Sequence, residues 1–496
     1  MKMEKESIRK AGVLIGVPSL PGKYGIGDFG KASYRFVDDL ADHGFALWQI
    51  LPLAPLGYGH SPYQPYSSFA MDEIYLDLDA LFEEGLIEKP APFREKEGKI
   101  DYEAVRAYKM PYLREAFRKE KEKDPRLLTQ FAKSHPWAKD YSVFAAFHEE
   151  NQSSWDKWPE KEKDWILTRP RLSKKHKDEA EFRLYLQCKL YAQWDKLHLY
   201  AKSKGIEIVG DLPFYVGFDS CDVWSHQSAF LLDPKTKEPS FIAGVPPDYF
   251  SATGQRWGNP IYDWDKLQKE DFAFIEERIA LNARIYDILR LDHFRAFDTY
   301  WKIPSSCPTA VEGEWVEAPG YALFDSLFEK YPSLNIIAED LGDLRPEVLT
   351  LRDHYSFPGM NVIQFTFHDY ELLRKGKWDE ENSVAYLGTH DNETTKGFFY
   401  DLDENEQALW IDALERKGIG EGTVCERLIA YLFQKKAKNA LVSMQDILEL
   451  DKEARTNVPS TVDGRNWTWK MEDFSAFEGK LPFLSRLIKE TGRNPE

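Results

Sequence analysis

Eight short segments along the chain share one pattern, an apolar, β-branched run that ends in polar or charged residues: 13–20, 45–53, 206–212, 288–294, 335–341, 360–365, 383–391 and 440–448. Runs that stay apolar at consecutive positions suit strands covered on both faces, as in a parallel sheet. Helical patterns lie between them. Residues 31–43 place Tyr34, Val37, Leu40 and Ala41 on one face, with Gly44 as the stop. Asp178 and Glu181 have capping-box spacing ahead of Phe182, Tyr185, Leu186, Leu190, Trp194 and Leu197, and that pattern ends at Gly205. Residues 272–286 predict another helix, feeding the fourth strand. Eight strands alternating with helices predict an α/β fold, a (β/α)8 TIM barrel with inserted subdomains; an open doubly wound sheet is the alternative. A barrel puts its chemistry at the C-terminal ends of the strands.

The spacing is uneven. About 150 residues separate the second and third strands, far more than a βα loop needs, so residues 63–183 are expected to form an inserted helical subdomain. A second long excursion, 213–269, is rich in Pro, Gly, Tyr and Trp and is expected to be a shaped active-site loop between strands three and four. The whole of 1–496 is then one catalytic barrel enlarged by insertions.

Charge removes several partners. With 65 Lys and Arg against 83 Asp and Glu, the 496 residues carry a formal charge of −18, and the charges are interspersed, so neither nucleic acid nor an anionic membrane surface is an expected partner. No apolar run approaches the roughly 18 residues of a spanning helix, and the four cysteines are scattered without zinc spacing, which fits a reduced, cytoplasmic protein. Aromatic residues make up 14 % of the chain, with 15 Trp and 25 Tyr, most of them expected in a large core. Amphipathic rings also line sugar-binding clefts.

Acids recur at the predicted strand ends: Asp211, Asp292, Glu339, Asp391 and Asp446. One such acid reads as a cap or ion pair, but several on one rim cost free energy that a fold avoids without a use for them. Arg290 and Asp292 stand two apart and so point to one side of a strand, where the cation favours an ionised Asp292. Glu339 on the next strand is a natural proton donor if it is held protonated. The pair matches the two-carboxylate arrangement of glycoside chemistry, with retention expected at a separation of about 5–5.5 Å. The same region offers a metal alternative in Asp292, His293, His390 and Asp391, without the HxH, HExxH or facial-triad spacing that such a site uses. There is no GxSxG and no Walker A; the literal GxGxxG at 25–30 reads as a glycine-rich turn into the first helix.

Several motifs are more specific: Gly57-Tyr58-Gly59-His60-Ser61-Pro62-Tyr63-Gln64, Gly210-Asp211-Leu212-Pro213, Gly244-Val245-Pro246-Pro247-Asp248-Tyr249-Phe250, Gly254-Gln255-Arg256-Trp257-Gly258-Asn259-Pro260 and the clusters around Asp292, Glu339 and Asp391. On these the chain resembles the amylomaltase or 4-α-glucanotransferase family, also called disproportionating enzyme, of glycoside hydrolase family 77, from residue 19 to the Asn466-Trp467-Thr468-Trp469 region. The resemblance implies a barrel without a separate C-terminal β-domain. It implies Asp292 as nucleophile, Glu339 as acid/base and Asp391 as the carboxylate that stabilises the transition state. It carries substrate contacts over to Ser61, Tyr63, Asp211, Arg290, His293 and His390, with Tyr249, Phe250, Gln255 and Trp257 on a loop over the acceptor side. Asn457 is expected on a facing loop and Tyr58 at a second, remote glucan site. The implied partners are α-1,4-glucans, maltooligosaccharides and glucose as acceptor, with no cofactor and no metal. Two positions depart from the family pattern: Ala296 and Ser460 stand where glycine is expected. A hydrolase on the same fold and a non-enzymatic glucan-binding protein are the competing functions.

Overall fold

The computed structural model describes residues 8–94, 98–247, 251–366, 379–459 and 461–494. Its strands, in chain order, are β1 (Lys10–Leu14), β2 (Leu47–Gln49), β3 (Glu207–Leu212), β4 (Phe241–Val245), β5 (Gln255–Pro260), β6 (Ile288–Leu291), β7 (Thr299–Pro304), β8 (Glu314–Glu317), β9 (Ile336–Ala338), β10 (Gly359–Val362), β11 (Ser383–Tyr386) and β12 (Asn439–Ser443). Eight of them pair in parallel in the order β10-β11-β12-β1-β2-β3-β6-β9. Ala338 N–H donates to the Pro358 carbonyl at 2.9 Å and brings the two outer strands together. The architecture is a (β/α)8 barrel rather than an open sheet.

The barrel interior is packed by Leu47, Val209, Ile288, Ile337, Met360, Val362, Val384, Tyr386 and Leu441, as the layered core of this fold requires. Strand β1 contributes Gly12 to that interior. A Cβ there would meet Leu441 Cδ2 and Leu47 Cβ, each at 2.5 Å, so the position is left empty for its neighbours' side chains. The opposite strand faces join one large buried cluster with the surrounding helices.

The helices at Lys31–Asp42 and Ala273–Ile285 form where the periodicity places them. Two expectations shift. The first strand ends at Leu14, because the apolar run continues through Val17 as a buried 3-10 turn containing Pro18, which has no N–H for a ladder. The long helix Lys174–Ser203 begins earlier than predicted, capped by Ser173, whose hydroxyl accepts from His176 N–H at 3.1 Å; Asp178 lies inside it. Helices including Tyr102–Lys123 and Trp137–Asn151 lie between β2 and β3. Strands β4 and β5, which the pattern did not predict, join β7 and β8 in an antiparallel sheet of order β5-β4-β7-β8 beside the barrel mouth. In the GxGxxG turn, a Cβ on Gly27 would lie 2.0 Å from the Val17 carbonyl, and Asp28 is buried against Lys109 at 3.2 Å. The turn is packed by protein, not open to a nucleotide. After β12 the chain ends in the helix Ser475–Glu490.

Candidate active site

Parallel pairing sets the acids side by side. The register of β3 and β6 places Asp211 opposite Arg290, and that of β6 and β9 places Leu291 opposite Ala338, so the next residues, Asp292 and Glu339, leave adjacent strands together. Arg290 is 3 % exposed; its Nη1 donates to both oxygens of buried Asp211 at 2.8 Å and to Asp292 Oδ1 at 2.9 Å. One guanidinium therefore fixes two carboxylates in a desolvated geometry in which charge-assisted bonds are strong. Glu339 is held differently. Its Oε2 accepts the His293 N–H at 2.7 Å and its Oε1 the Leu341 N–H at 3.1 Å. His293 takes a left-handed conformation, φ 50°, which turns the chain sharply after the nucleophile candidate.

The other side of the site is built from loops. Asn392 Oδ1 accepts from both the backbone N–H and the hydroxyl of Thr389 at 2.9 Å, closing a turn that presents His390 and Asp391. Asn457 Nδ2 donates to Asp391 Oδ1 at 2.7 Å. Arg455 then ties both partners' backbones, donating to the Asn457 carbonyl at 2.7 Å and the Asp391 carbonyl at 2.6 Å. Tyr63 donates to Asp211 Oδ2 at 2.8 Å and stacks on His390 with centroids 5.1 Å apart and planes 14° from parallel. Trp257 sets its edge against His293 at 4.9 Å, its indole N–H held by Gln255 Oε1 at 3.1 Å.

The environments push the acids apart. Burial raises the Glu339 carboxyl to about 8, with Asp292 adding to the rise against Arg290 and the two backbone donors, so it carries a proton at neutral pH. For Asp391 burial favours the proton, but His390, Asn457 and Arg290 outweigh it and hold the group below the usual carboxylate range. Its side chain remains 43 % exposed to the cleft. Burial pushes His293 down to about 4, leaving a neutral ring. His390 goes the other way: burial works against its charge, and Asp391, 3.4 Å from Nε2, overrides it. Nε2 of His293 and Nδ1 of His390 are buried without a hydrogen-bond partner, while His390 Nε2 faces Asp391. Unpaired buried nitrogens around a cleft are free for a ligand's hydroxyls. An acid kept protonated beside a carboxylate held by a cation can protonate a leaving oxygen while its neighbour attacks carbon.

The structure brings together Tyr63, Asp211, Gln255, Trp257, Arg290, Asp292, His293, Glu339, His390, Asp391 and Asn457. Ser61 joins through its hydroxyl, which accepts the Tyr63 N–H at 3.2 Å. Tyr58 stands apart, 76 % exposed on a 3-10 turn. Tyr249, Phe250 and the Ser460 departure lie outside the described residues. Ala296 is buried in the 3-10 turn Phe294–Phe297 and is not among the positive-φ residues, so it fits there without strain. Asp446 is not a rim acid: it is 2 % exposed and accepts the Thr395 N–H at 2.7 Å, at the start of the earlier helix Thr395–Asp401. Two site residues were missed. Trp467 packs against Tyr63 and His390 at 5.6 and 6.0 Å, and its motif was already visible as the far edge of the resemblance. Arg455 carries no local signal at all. Among the described residues no three His, Cys, Asp or Glu side chains are grouped so as to hold a metal ion.

A family model described as 4-alpha-glucanotransferase matches residues 15–475 of the chain. The 4-alpha-glucanotransferase of Aquifex aeolicus is 42 % identical over 494 residues, covering 98 % of this chain and all of that protein. That of Thermus thermophilus is 40 % identical, covering 93 % and 95 %. Among solved structures, the amylomaltase from Streptococcus agalactiae in complex with acarbose superposes with a TM-score of 0.91 at 35 % identity, covering 98 % of this chain and 100 % of that one.

Proposed function

The chain belongs to the 4-alpha-glucanotransferase family, and from that premise we propose that it moves a segment of an α-1,4-glucan onto the 4-hydroxyl of another glucan, or of glucose, by double displacement at Asp292, Glu339 and Asp391. Asp292 attacks the anomeric carbon and forms an ester as the glycosidic C–O bond breaks; the Glu339 proton passes to the departing O4. In the second half, the acceptor's O4 attacks the same carbon, the ester C–O bond breaks and the acceptor's proton returns to Glu339. Two inversions retain the α configuration. Asp391 and the unpaired histidine nitrogens hold sugar hydroxyls where oxocarbenium charge develops. The observation that carries the reading is a Glu339 raised to about 8 on the strand next to an Asp292 that is bonded to a buried arginine.

Ser61, Tyr63, Asp211, Arg290, His293, His390 and Asn457 are proposed to contact the sugars at the reacting bond. Gln255, Trp257, Tyr249 and Phe250 shape the acceptor side, and Tyr58 belongs to a remote glucan site. Transfer and hydrolysis share the covalent intermediate, so the balance between them depends on how well the loop around Trp257 excludes water and orients a sugar. Incubation with maltotriose separates them: longer oligosaccharides plus glucose are expected, whereas reducing ends appearing without elongation would make the protein a hydrolase. No helix of the described residues is long and apolar enough to cross a membrane. The cysteines Cys188, Cys221, Cys307 and Cys425 are free thiols, three of them buried, which supports a cytoplasmic setting.

A further inference from the structure

Of the tryptophans among the described residues, Trp315 on β8 is the one more than a third exposed, at 41 %. Leaving so large a ring in water needs a reason, and this ring is held rigidly. Opposite it in the β7–β8 register is Trp301, whose indole N–H donates to the Ala310 carbonyl at 2.9 Å. Trp301 lies over Gly313, where a Cβ would meet the indole at 2.5 Å. Trp315 packs against this anchored ring at 5.2 Å and 64°. The Arg295 guanidinium sits 3.9 Å from the Trp315 centroid and also donates to the Asp343 carbonyl.

Arg295 follows Asp292 in the loop after β6, and Asp343 follows Glu339 in the loop after β9. The ring is thus braced by Arg295, which follows one reacting acid and is itself bonded to the backbone of the loop that carries the other. Its own indole N–H has no partner among the described residues. A fixed, half-exposed indole with a free donor is suited to the apolar face of a pyranose ring and to one of its hydroxyls. The nearby charges are of both signs, with Glu314 paired to Lys302, Glu317 to Arg345 and Arg295 against the ring, so the surface suits a neutral polyol rather than an ion.

We propose that Trp315 is the platform of an outlying glucan subsite, which engages a sugar unit of a long chain beyond those at the reacting bond. The substrate class rests on the transferase reading above, but binding can be measured without turnover. In an Asp292→Asn background, calorimetric titration with a long linear maltodextrin and with maltotriose compares the two lengths. Adding Trp315→Ala is expected to weaken the long chain about two- to tenfold, the worth of one aromatic contact, and to leave maltotriose unchanged; Trp315→Phe recovers most of the loss. Equal weakening of both ligands would assign the ring a structural role, and no weakening of the long chain would remove the subsite; either overturns the proposal. If the wild-type protein hydrolyses maltotriose without elongating it, the transferase reading falls while the titration still decides the subsite.

Discussion

The two halves of the site are built on different principles. Asp211, Arg290, Asp292 and Glu339 sit in or directly after barrel strands; the parallel register aligns them, and Arg290 links Asp211 and Asp292 through one buried guanidinium. His390, Asp391 and Asn457 sit on loops after β11 and β12, and side-chain bonds rather than strand pairing relate them: Asn392 to Thr389, Asn457 to Asp391, Arg455 to both backbones. The strand-borne half is as rigid as the core and is costly to disturb. The loop-borne half can lose function while the fold persists.

Substitutions at the two halves test that contrast. The largest effect is expected at Asp292→Ala: kcat falls by about 10⁴ or more while maltotriose still binds, as single-turnover kinetics and calorimetry will show. Glu339→Gln removes the proton donor, and kcat is expected to fall about 10²–10⁴-fold. In the wild type, activity needs the protonated acid, so kcat/KM declines as pH rises through about 8; the Gln variant's residual activity lacks that limb. Stability carries the same sign. Between the ordinary carboxyl range and about 8 the folded chain keeps a proton that the unfolded chain releases, so this group's contribution falls as pH rises through that window. Glu339→Gln should lose that part of the decline, and its Tm should gain on the wild type as pH rises.

Arg290→Met leaves Asp211, 1 % exposed, without its cation, and is expected to destabilise the protein by about 3–5 kcal/mol in denaturant unfolding. Asn457→Ala is the smallest. It removes one bond to a carboxylate that stays open to solvent, so about a tenfold loss of kcat/KM with an unchanged Tm is expected. If Asn457→Ala unfolds the protein as readily as Arg290→Met, the distinction between core-built and loop-built halves fails.

The same contrast explains what the sequence revealed. Barrel strands are legible because burial on both faces keeps them continuously apolar, and an acid that follows such a run stands out, as at Asp292 and Glu339. Strands β4, β5, β7 and β8 escape because they are partly exposed and interrupted by Gly, Pro and charged residues, although they are no shorter than the barrel strands. The predicted first strand runs too late because Ile15 and Val17, beyond the strand's end, are nearly as buried as Val13 within it. Asp446 misled for a related reason: a strand-end acid also suits a helix N-terminus, and only packing against Thr395 decides between the two. Arg455 was invisible because it binds backbone carbonyls, which leave no mark on the residues they belong to.

The most direct test of the account is to trap the intermediate. Incubating Glu339→Gln with an α-maltosyl fluoride, whose leaving group needs no acid, should form an ester that the variant cannot efficiently pass to an acceptor. Peptide mass spectrometry is predicted to find the maltosyl adduct on Asp292. An adduct on another carboxylate, or fluoride release without any adduct and with inverted product, would contradict it.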